Sequence, residues 1–285
     1  MVDNPCSGTT GNPGAMKIAI AIPARYGSSR FPGKPLAKIG GRTMLERVAA
    51  IAKAATVDIK NATVFITTED RRIESHAKEI GVPCIMTPAS CATGSDRVLS
   101  ALRQLDEWPD FIVNLQGDAP FTPPAVIKTL IKAFIEKDRP EVVTPVHQLS
   151  WEDLDRLREA KKKTPFSGTT AVINKEGRAL WFSKNILPAI RAEETLREKG
   201  DKSPVYQHMG LYGFRSDILE KFCELPQSPY EKLEGLEQLR MLENGIQIQA
   251  VKVKIPSGLI RSGIDAPEDI KRAEKMLAAY GDQFP

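Results

Sequence analysis

The chain has 285 residues, of which 41% are hydrophobic and 27% are charged, and its 40 basic and 36 acidic residues leave a formal net charge of +4. Such a chain can bury a substantial core without disulfide or metal staples, and the small net charge argues against a nucleic-acid-binding or membrane-surface protein. It has no apolar run long enough to span a bilayer, and its four cysteines form no CxxC pair of the kind found in zinc or thioredoxin-type sites.

The first fifteen residues differ in composition from the rest. They are rich in Gly, Pro, Asn, Ser and Thr, and they have neither the basic nor the apolar region of a signal peptide. We expect residues 1–15 to be a disordered leader and residues 16–285 to form a single folded domain. The leader is either native or foreign to the protein. In a reducing cytoplasm, where we expect the protein, Cys84 and Cys91 would be free thiols rather than a disulfide.

Short apolar runs alternate with segments of helical spacing in the first half of the chain. The runs predict strands at 17–24, 62–70, 82–87 and 110–118. The segments predict helices at 43–55, 71–81, 95–105 and 123–137, with Ser95 as the N-cap of the third. These βαβ units predict an α/β fold with a mainly parallel sheet, whose ligands would bind beyond the carboxyl ends of the strands.

The second half is less regular. Strand patterns occur at 141–149, 205–215 and 246–255, and a hairpin with its turn at Lys175–Gly177 is predicted at 169–184. Helices are predicted at 216–225, 233–245 and 266–280, and the charged stretch 191–203 is predicted to be a mobile loop. We therefore expect one domain with a mixed sheet and an inserted antiparallel ribbon.

A basic loop follows the first predicted strand. Within 24–36 lie three cations and four small residues, namely Arg25, Arg30 and Lys34 with Gly27, Ser28, Ser29 and Gly33. A triphosphate needs backbone N–H groups at close approach, which glycine permits, and cationic side chains for its oxygens. The loop lacks the GxxxxGK[ST] spacing of a Walker A motif, so the alternative is a basic surface loop without a ligand.

Two aspartates are candidates for a metal site. Asp118 follows Gln116 and Gly117 at the carboxyl end of the fourth predicted strand, where a carboxylate could hold Mg²⁺ against phosphates. Asp265 precedes the last predicted helix and would complete the site if it converged on Asp118. The alternatives are a turn aspartate beside Gly117 and an ordinary helix N-cap at Asp265.

Two further segments could contact a polyhydroxy ligand. His208 and Tyr212 are four residues apart, so a single strand would direct both side chains to one face. Glu234, Glu237 and Gln238 would share one face of a helix. The alternatives are a packed core for the first pair and a solvated charged face for the other three.

Six short motifs occur in order along the chain. They are PARYGSSRFPGKPL at 23–36, TGSDR at 93–97, QGDAP at 116–120, HMGLYGFR at 208–215, LEGLEQLR at 233–240 and IDAPEDI at 264–270. Together they resemble the motifs of the CMP-Kdo synthetases, the 3-deoxy-manno-octulosonate cytidylyltransferases. The resemblance spans about residues 16–280, and the set is specific although no single motif is. The related sialate cytidylyltransferases have ARGGSKxxPxKN in the first loop, which this chain lacks.

The resemblance implies a Rossmann-like, glycosyltransferase-A-like nucleotide-diphospho-sugar transferase fold that dimerises through the antiparallel ribbon. It implies a cytoplasmic enzyme of lipopolysaccharide biosynthesis that couples CTP to a Kdo-type sugar acid, using Arg25, Lys34 and Mg²⁺ on Asp118 and Asp265. Positioning and electrostatics would carry catalysis, without a covalent intermediate. The implied nucleotide-binding residues are Ala24, Arg25, Ser28, Ser29, Arg30, Lys34, Gly94, Ser95 and Arg97. The implied sugar-binding residues are Gln116, His208, Tyr212, Glu234, Glu237 and Gln238.

The chain departs from the family pattern in three places. Ala119 stands where the family has Glu or Gln, SGTTAV at 167–172 replaces a segment that carries a lysine, and Lys184 stands for an arginine. These changes fall where the sugar and the dimer ribbon are expected. Two alternatives therefore stand beside the Kdo prediction. One is a variant substrate, such as 8-amino-Kdo or another C8/C9 acid, and the other is a catalytically inactive nucleotide-binding homologue.

Overall fold

The protein is described by a computed structural model over residues 16–27, 31–255, 264 and 266–280, without the side chains of residues 276, 279 and 280. The predicted leader at 1–15 lies outside these ranges. So do four predicted site residues, Ser28, Ser29, Arg30 and Asp265.

Within the described ranges, ten strands form one sheet and two short strands form a separate hairpin. The strands are β1 Ile18–Pro23, β2 Lys38–Ile39, β3 Arg42–Thr43, β4 Ala62–Thr68, β5 Cys84–Met86, β6 Phe111–Asn114, β7 Val142–Ser150, β8 Thr169–Ile173, β9 Ala179–Ser183, β10 Lys202–His208, β11 Tyr212–Arg215 and β12 Ile248–Lys252.

Helices cover both faces of the sheet, and a 3₁₀ turn spans Lys34–Leu36. The helices are α1 Met44–Thr56, α2 Arg71–Glu79, α3 Gly94–Leu102, α4 Pro124–Glu136, α5 Trp151–Lys163, α6 Glu193–Glu198, α7 Ser216–Glu224, α8 Pro229–Glu234, α9 Glu237–Glu243 and α10 Pro267–Tyr280. None of the helices in the described part of the chain is both long enough and apolar enough to cross a bilayer.

The first half of the chain forms a parallel sheet, as its periodicity predicts. β1 pairs in parallel with β4 on one side and β6 on the other, and β5 extends the sheet beyond β4. Ile18, Ile20 and Ile22 point into one core, whereas Ala19 and Ala21 point into the core on the other face. Because alanine is small, α3 packs closely against β1 on that face. All four helices predicted here are present.

The second half adds antiparallel strands to the same sheet. β11 runs antiparallel to both β6 and β7, and β10, β8 and β9 follow with antiparallel pairing, while β12 is parallel to β7. The α/β class with a mixed sheet is therefore confirmed, as is the β8–β9 hairpin. The single strand predicted at 205–215 is wrong, because Met209–Leu211 divide it into β10 and β11.

The charged segment after β9 is not the loop that its composition suggests. It contains α6, and β10 begins at Lys202. Glu193 accepts hydrogen bonds from Arg158 at 2.7 and 2.8 Å and from Arg197 at 2.7 and 3.0 Å, and Arg197 also pairs with Asp155. Arg158 and Asp155 lie on α5, a helix that the sequence interpretation did not assign. These ion pairs join the segment to α5.

This network predicts an acid-sensitive contribution to stability. Hydrogen bonding to Arg158, and next to Arg197, lowers the pKa of Glu193 from 4.5 to about 2. The stabilisation is therefore complete above the unfolded pKa of about 4.5 and is lost as the pH falls toward about 2. We expect Glu193→Gln to melt below the wild type at neutral pH, with the gap closing in acid. Thermal melts against pH test this, with Glu194→Gln as the control; a gap independent of pH would contradict it.

Candidate active site

A cavity of about 340 Å³ opens at the carboxyl ends of β1 and β6, where ligands bind in α/β sheets. This first cavity is bounded by the residues after β1, the 3₁₀ turn, the residues before α3 and the loop after β6. It brings together five of the residues predicted to bind a nucleotide, which are Ala24, Arg25, Lys34, Gly94 and Arg97.

An ion pair lies in the first cavity. Lys34 Nζ is 2.6 Å from Asp118 Oδ2, and the side chains are 11% and 39% exposed. The lysine is screened only weakly by water, whereas the carboxylate stays accessible to a ligand. The backbone carbonyl of Asp118 accepts a hydrogen bond from the N–H of Ile264 at 3.2 Å. The residue that precedes Asp265 is thus joined directly to Asp118.

The described parts of the basic loop, on either side of residues 28–30, make local contacts. Gly33 has a φ of 70°, and its N–H bonds the carbonyl of Tyr26 at 2.9 Å, which closes the loop just before Lys34. A Cβ on Gly33 would lie 3.0 Å from the Tyr26 hydroxyl. The guanidinium of Arg72 lies 3.3 Å from the centre of the Tyr26 ring. This glycine is therefore required for the turn.

Arg97 lines the first cavity and is held by Glu69 and the buried Thr87. Its Nη1 lies 2.9 Å from Glu69 Oε2 and donates a hydrogen bond to Thr87 Oγ1 at 2.9 Å. The other Glu69 oxygen accepts from the backbone N–H of Tyr26 at 3.2 Å. The same carboxylate therefore connects α3 to the basic loop.

Ser95 and Gln116 are arranged differently from the prediction. The N-cap of α3 is Thr93, not Ser95, because Thr93 and Asp96 form a capping box. The Ser95 hydroxyl is buried, accepts from Asn114 at 3.2 Å and does not line the first cavity. Asn114 in turn accepts from Gln116, which lines the first cavity rather than the second one described next.

A second cavity of about 600 Å³ adjoins the first, and Glu237 lines both. Four of the residues predicted to bind a sugar line it, which are His208, Tyr212, Glu237 and Gln238. Lys184 and Ser167–Thr169 also line it, so two of the three departures from the family pattern lie here. Ala119 lines neither cavity.

Burial sets the charges in the second cavity. It lowers the pKa of His208 to about 3, helped by Lys184, so the imidazole is neutral at neutral pH. Burial also lowers the pKa of Lys184 and raises those of Tyr212 and Glu237. Among the described residues that line this cavity, Lys184 is the one cationic side chain, and it is positioned to meet an acidic ligand.

Gln238 carries a buried hydrogen-bond donor for which the described residues supply no partner. Its side chain is only 3% exposed, and its Nε2 bonds nothing in the described part of the chain. An unsatisfied buried donor costs about 1–3 kcal/mol, so such groups commonly mark sites where a ligand completes the bonding. Gln238 lines the second cavity, so its unsatisfied amide donor is a candidate contact for a ligand with hydrogen-bond acceptors.

Glu234 lies apart from Glu237 and Gln238. The helix predicted at 233–245 is interrupted, because Gly235 has a φ of 62° and ends α8 before α9 begins. The Glu234 carboxylate accepts from the Ser183 hydroxyl and the Lys184 N–H, both at 2.8 Å. It lines neither cavity, and instead fixes the end of β9 next to Lys184.

Lys161 is a residue that the sequence interpretation missed. From α5 its Nζ, which has three hydrogens to donate, lies 2.5–3.2 Å from four backbone carbonyl oxygens, those of Pro165, Ser167, Gly168 and Lys184. These carbonyls belong to two segments that line the second cavity. No local motif could have revealed it, since a basic end of a helix is ordinary.

We expect Lys161→Gln to raise the KM for the ligand of the second cavity by roughly tenfold, because the amide cannot hold both segments together. The KM for the ligand of the first cavity should stay unchanged. Steady-state kinetics with each substrate varied in turn measures both values. Lys162→Gln is the control, since Lys162 is exposed and its ion pair among the described residues is with Glu159. Equal rises in both KM values would contradict the expectation.

The described residues contain no cluster of three or more Asp, Glu, His or Cys side chains that could hold a metal. Asp118 is the carboxylate that pairs with Lys34 in the first cavity, and Asp265 lies outside the described ranges. A carboxylate beside a triphosphate suits Mg²⁺, which is bound through one or two carboxylates plus phosphate oxygens. The residues present therefore fit a magnesium ion that substrate phosphates help to hold.

Known proteins are similar to this chain in both sequence and fold. The family profile described as Cytidylyltransferase matches residues 19–250. A 3-deoxy-manno-octulosonate cytidylyltransferase of Maricaulis maris is 42% identical over 94% of this chain and 99% of its own length. That of Bdellovibrio bacteriovorus is 35% identical, over 93% of this chain and 100% of its own length.

Solved structures also match this chain. CMP:2-keto-3-deoxy-manno-octonic acid synthetase complexed with CTP matches with a TM-score of 0.77 and 32% identity, over 92% of this chain and 99% of that one. A 4-diphosphocytidyl-2C-methyl-D-erythritol synthase from Anaerococcus prevotii matches with a TM-score of 0.55 and 15% identity, over 93% and 97% of the two chains, which is a likeness of fold alone. The chain therefore belongs to the cytidylyltransferase family, among the 3-deoxy-manno-octulosonate cytidylyltransferases.

Proposed function

We propose that the protein couples CTP to a 3-deoxy-octulosonate of the Kdo type, giving the CMP-sugar and pyrophosphate. The observation that carries the proposal is the pair of adjoining cavities that share Glu237. The first contains the Lys34–Asp118 pair and suits a triphosphate. The second contains Lys184 and the unsatisfied Gln238 donor, and suits an acidic, polyhydroxylated ligand.

The reaction would be a direct displacement at the α-phosphorus. The anomeric 2-hydroxyl of the sugar acid forms the new P–O bond, the bond to the β-phosphate oxygen breaks, and pyrophosphate leaves. Lys34 and Arg25 would bind the triphosphate and stabilise its charge, and the walls of the cavities would align the two reactants. No residue is assigned as a general base.

A magnesium ion would be held by Asp118 and Asp265 together with the phosphates, and would supply neutralisation of the charge that develops on them. The hydrogen bond between Ile264 and Asp118 supports this, because it joins the segment leading to Asp265 to the first cavity. Lys34 would orient the Asp118 carboxylate through the hydrogen bond between them.

A variant ulosonate is the alternative substrate. Ser167–Thr169 and Lys184, which depart from the family pattern, line the second cavity, so they are placed to change its preference. Pyrophosphate release measured with CTP, UTP, ATP and GTP against Kdo, 8-amino-Kdo and a C9 acid separates the alternatives. We expect release with CTP and Kdo in the presence of Mg²⁺. Preference for another nucleotide, or no turnover with any pair, would overturn the proposal.

We also infer a homodimer that forms at the edge of the sheet. β9 is the last strand at one edge, and its Leu180 is 57% exposed, while Leu233 on the neighbouring α8 is 77% exposed. An exposed apolar edge strand is usually covered by another chain. Sedimentation of wild type and Leu180→Glu tests this; a monomeric wild type would refute it.

We place the enzyme in the cytoplasm, where CTP is made. There it would supply activated sugar for lipopolysaccharide.

A further inference from the structure

Thr144 makes two hydrogen bonds that determine where a proton lies. It is fully buried in β7, and its Oγ1 donates to the backbone carbonyl of Leu211 at 2.8 Å. The same oxygen lies 2.8 Å from His208 Nε2. A hydroxyl has one hydrogen to donate. Because that hydrogen is used on Leu211, Oγ1 accepts from His208, and Nε2 must carry the proton.

The opposite assignment leaves a buried clash of lone pairs. If the Thr144 hydrogen pointed to an unprotonated Nε2, Oγ1 and the Leu211 oxygen would face each other as two acceptors at 2.8 Å. Buried acceptors almost always meet donors, so this arrangement is disfavoured. Burial keeps the imidazole neutral at neutral pH, since it lowers the pKa of His208 to about 3. A proton on Nε2 therefore leaves Nδ1 as a bare acceptor.

Nδ1 is available to a ligand. His208 lines the second cavity, and no described residue bonds its Nδ1. The ring is held between Phe182, with centroids 4.9 Å apart, and Tyr212, at 5.4 Å. These contacts fix the plane of the imidazole, so the lone pair of Nδ1 has a defined direction.

We propose that Thr144 is a positioning residue that fixes the tautomer of His208, so that His208 Nδ1 accepts a hydrogen bond from a hydroxyl or amino group of the sugar acid. The carboxylate of the sugar is then left to Lys184, because a bare nitrogen repels an anion. This rests on the proposed function and deepens it, since it assigns donor and anionic groups of the substrate to different side chains of the second cavity.

The tautomer can be read without any activity measurement. Long-range ¹H–¹⁵N correlation spectra of the ligand-free wild type, labelled at its 3 histidines, distinguish protonated from bare ring nitrogens. The His208→Gln spectrum identifies the signals. We expect Nε2 protonated and Nδ1 bare at neutral pH. A proton on Nδ1 would overturn the proposal, even if the enzyme makes CMP-Kdo. Failure of the proposed function would instead appear as absent pyrophosphate release.

Kinetics test the role of Thr144. Thr144→Val keeps the shape of the side chain but frees the imidazole to adopt either tautomer. We expect it to raise the KM for Kdo roughly tenfold, with the KM for CTP unchanged. Thr144→Ser keeps the hydroxyl and should restore the wild-type KM. An unchanged KM for Kdo in Thr144→Val would overturn the proposal. So would a KM for Kdo in Thr144→Ser that is as high as that of Thr144→Val. If Thr144→Val does not fold, the wild-type spectrum alone decides.

Discussion

Asp118→Asn is expected to lose on the order of 10³-fold in kcat while remaining folded. The amide has the same shape as the carboxylate but no charge, so it neither pairs with Lys34 nor binds a cation at the triphosphate. The side chain is 39% exposed, so water can solvate the change and the fold should survive. Pyrophosphate release at saturating CTP and Kdo measures the loss.

The control for this variant is Asp58→Asn. Asp58 also pairs with a lysine, Lys128, at 2.9 Å, but its side chain is 78% exposed and lines neither cavity. It should have wild-type kcat. An Asp118→Asn enzyme within about tenfold of the wild type would show that the carboxylate is not part of the catalytic machinery.

Gly213→Ala is expected to destabilise the protein by about 3 kcal/mol. A Cβ at this position of β11 would lie 2.7 Å from Phe111 Cε2 and 2.9 Å from Val143 Cγ2. The Phe111 ring cannot move easily, because it is fully buried and stacked on Phe134 with centroids 4.1 Å apart. Urea denaturation of both proteins measures the change in the free energy of unfolding.

Gly200→Ala is the matched control. A Cβ there would have no heavy atom within 4 Å, so its free energy of unfolding should stay within about 1 kcal/mol of the wild type. If Gly213→Ala were as mild as Gly200→Ala, the close approach of β6, β7 and β11 would be wrong. Since β11 begins at Tyr212, that result would also question the second cavity.

The first half of the fold could be predicted because its signals are local. Each strand there is a short apolar run, and each helix has periodic apolar positions, so β1 and α1 were found within about two residues of their bounds. The N-cap of α3 was harder, because Thr93 and Ser95 are both good caps. The capping box with Asp96 decides in favour of Thr93.

The second half depends on contacts between residues far apart in sequence. Glu193 bonds Arg158 across 35 residues, which makes a charged segment ordered where composition suggests a loop. Gly235 ends α8 although the pattern of leucines continues through it. Neither effect is visible in a short window, because one is an ion pair and the other a backbone conformation.

The site residues show the same difference between local signals and contacts that join distant parts of the sequence. Lys34 and Asp118 were predicted from the loops after the first and fourth predicted strands, because parallel strands end at one edge of the sheet. Lys161 was missed, since its four carbonyl partners come from two separate segments. Thr144 was missed for a similar reason: it is an ordinary buried threonine until His208 is placed beside it.

The central claim is that CTP and the sugar acid react in adjoining cavities to form one phosphodiester and one pyrophosphate. ³¹P NMR of the wild type with CTP, Kdo and Mg²⁺ tests it most directly, because it follows every phosphorus atom. We predict that the three CTP signals decline together while a CMP-diester signal and pyrophosphate rise in equal amounts, and only when Kdo is present. Pyrophosphate or phosphate released from CTP without Kdo, or no diester signal with it, would contradict the account.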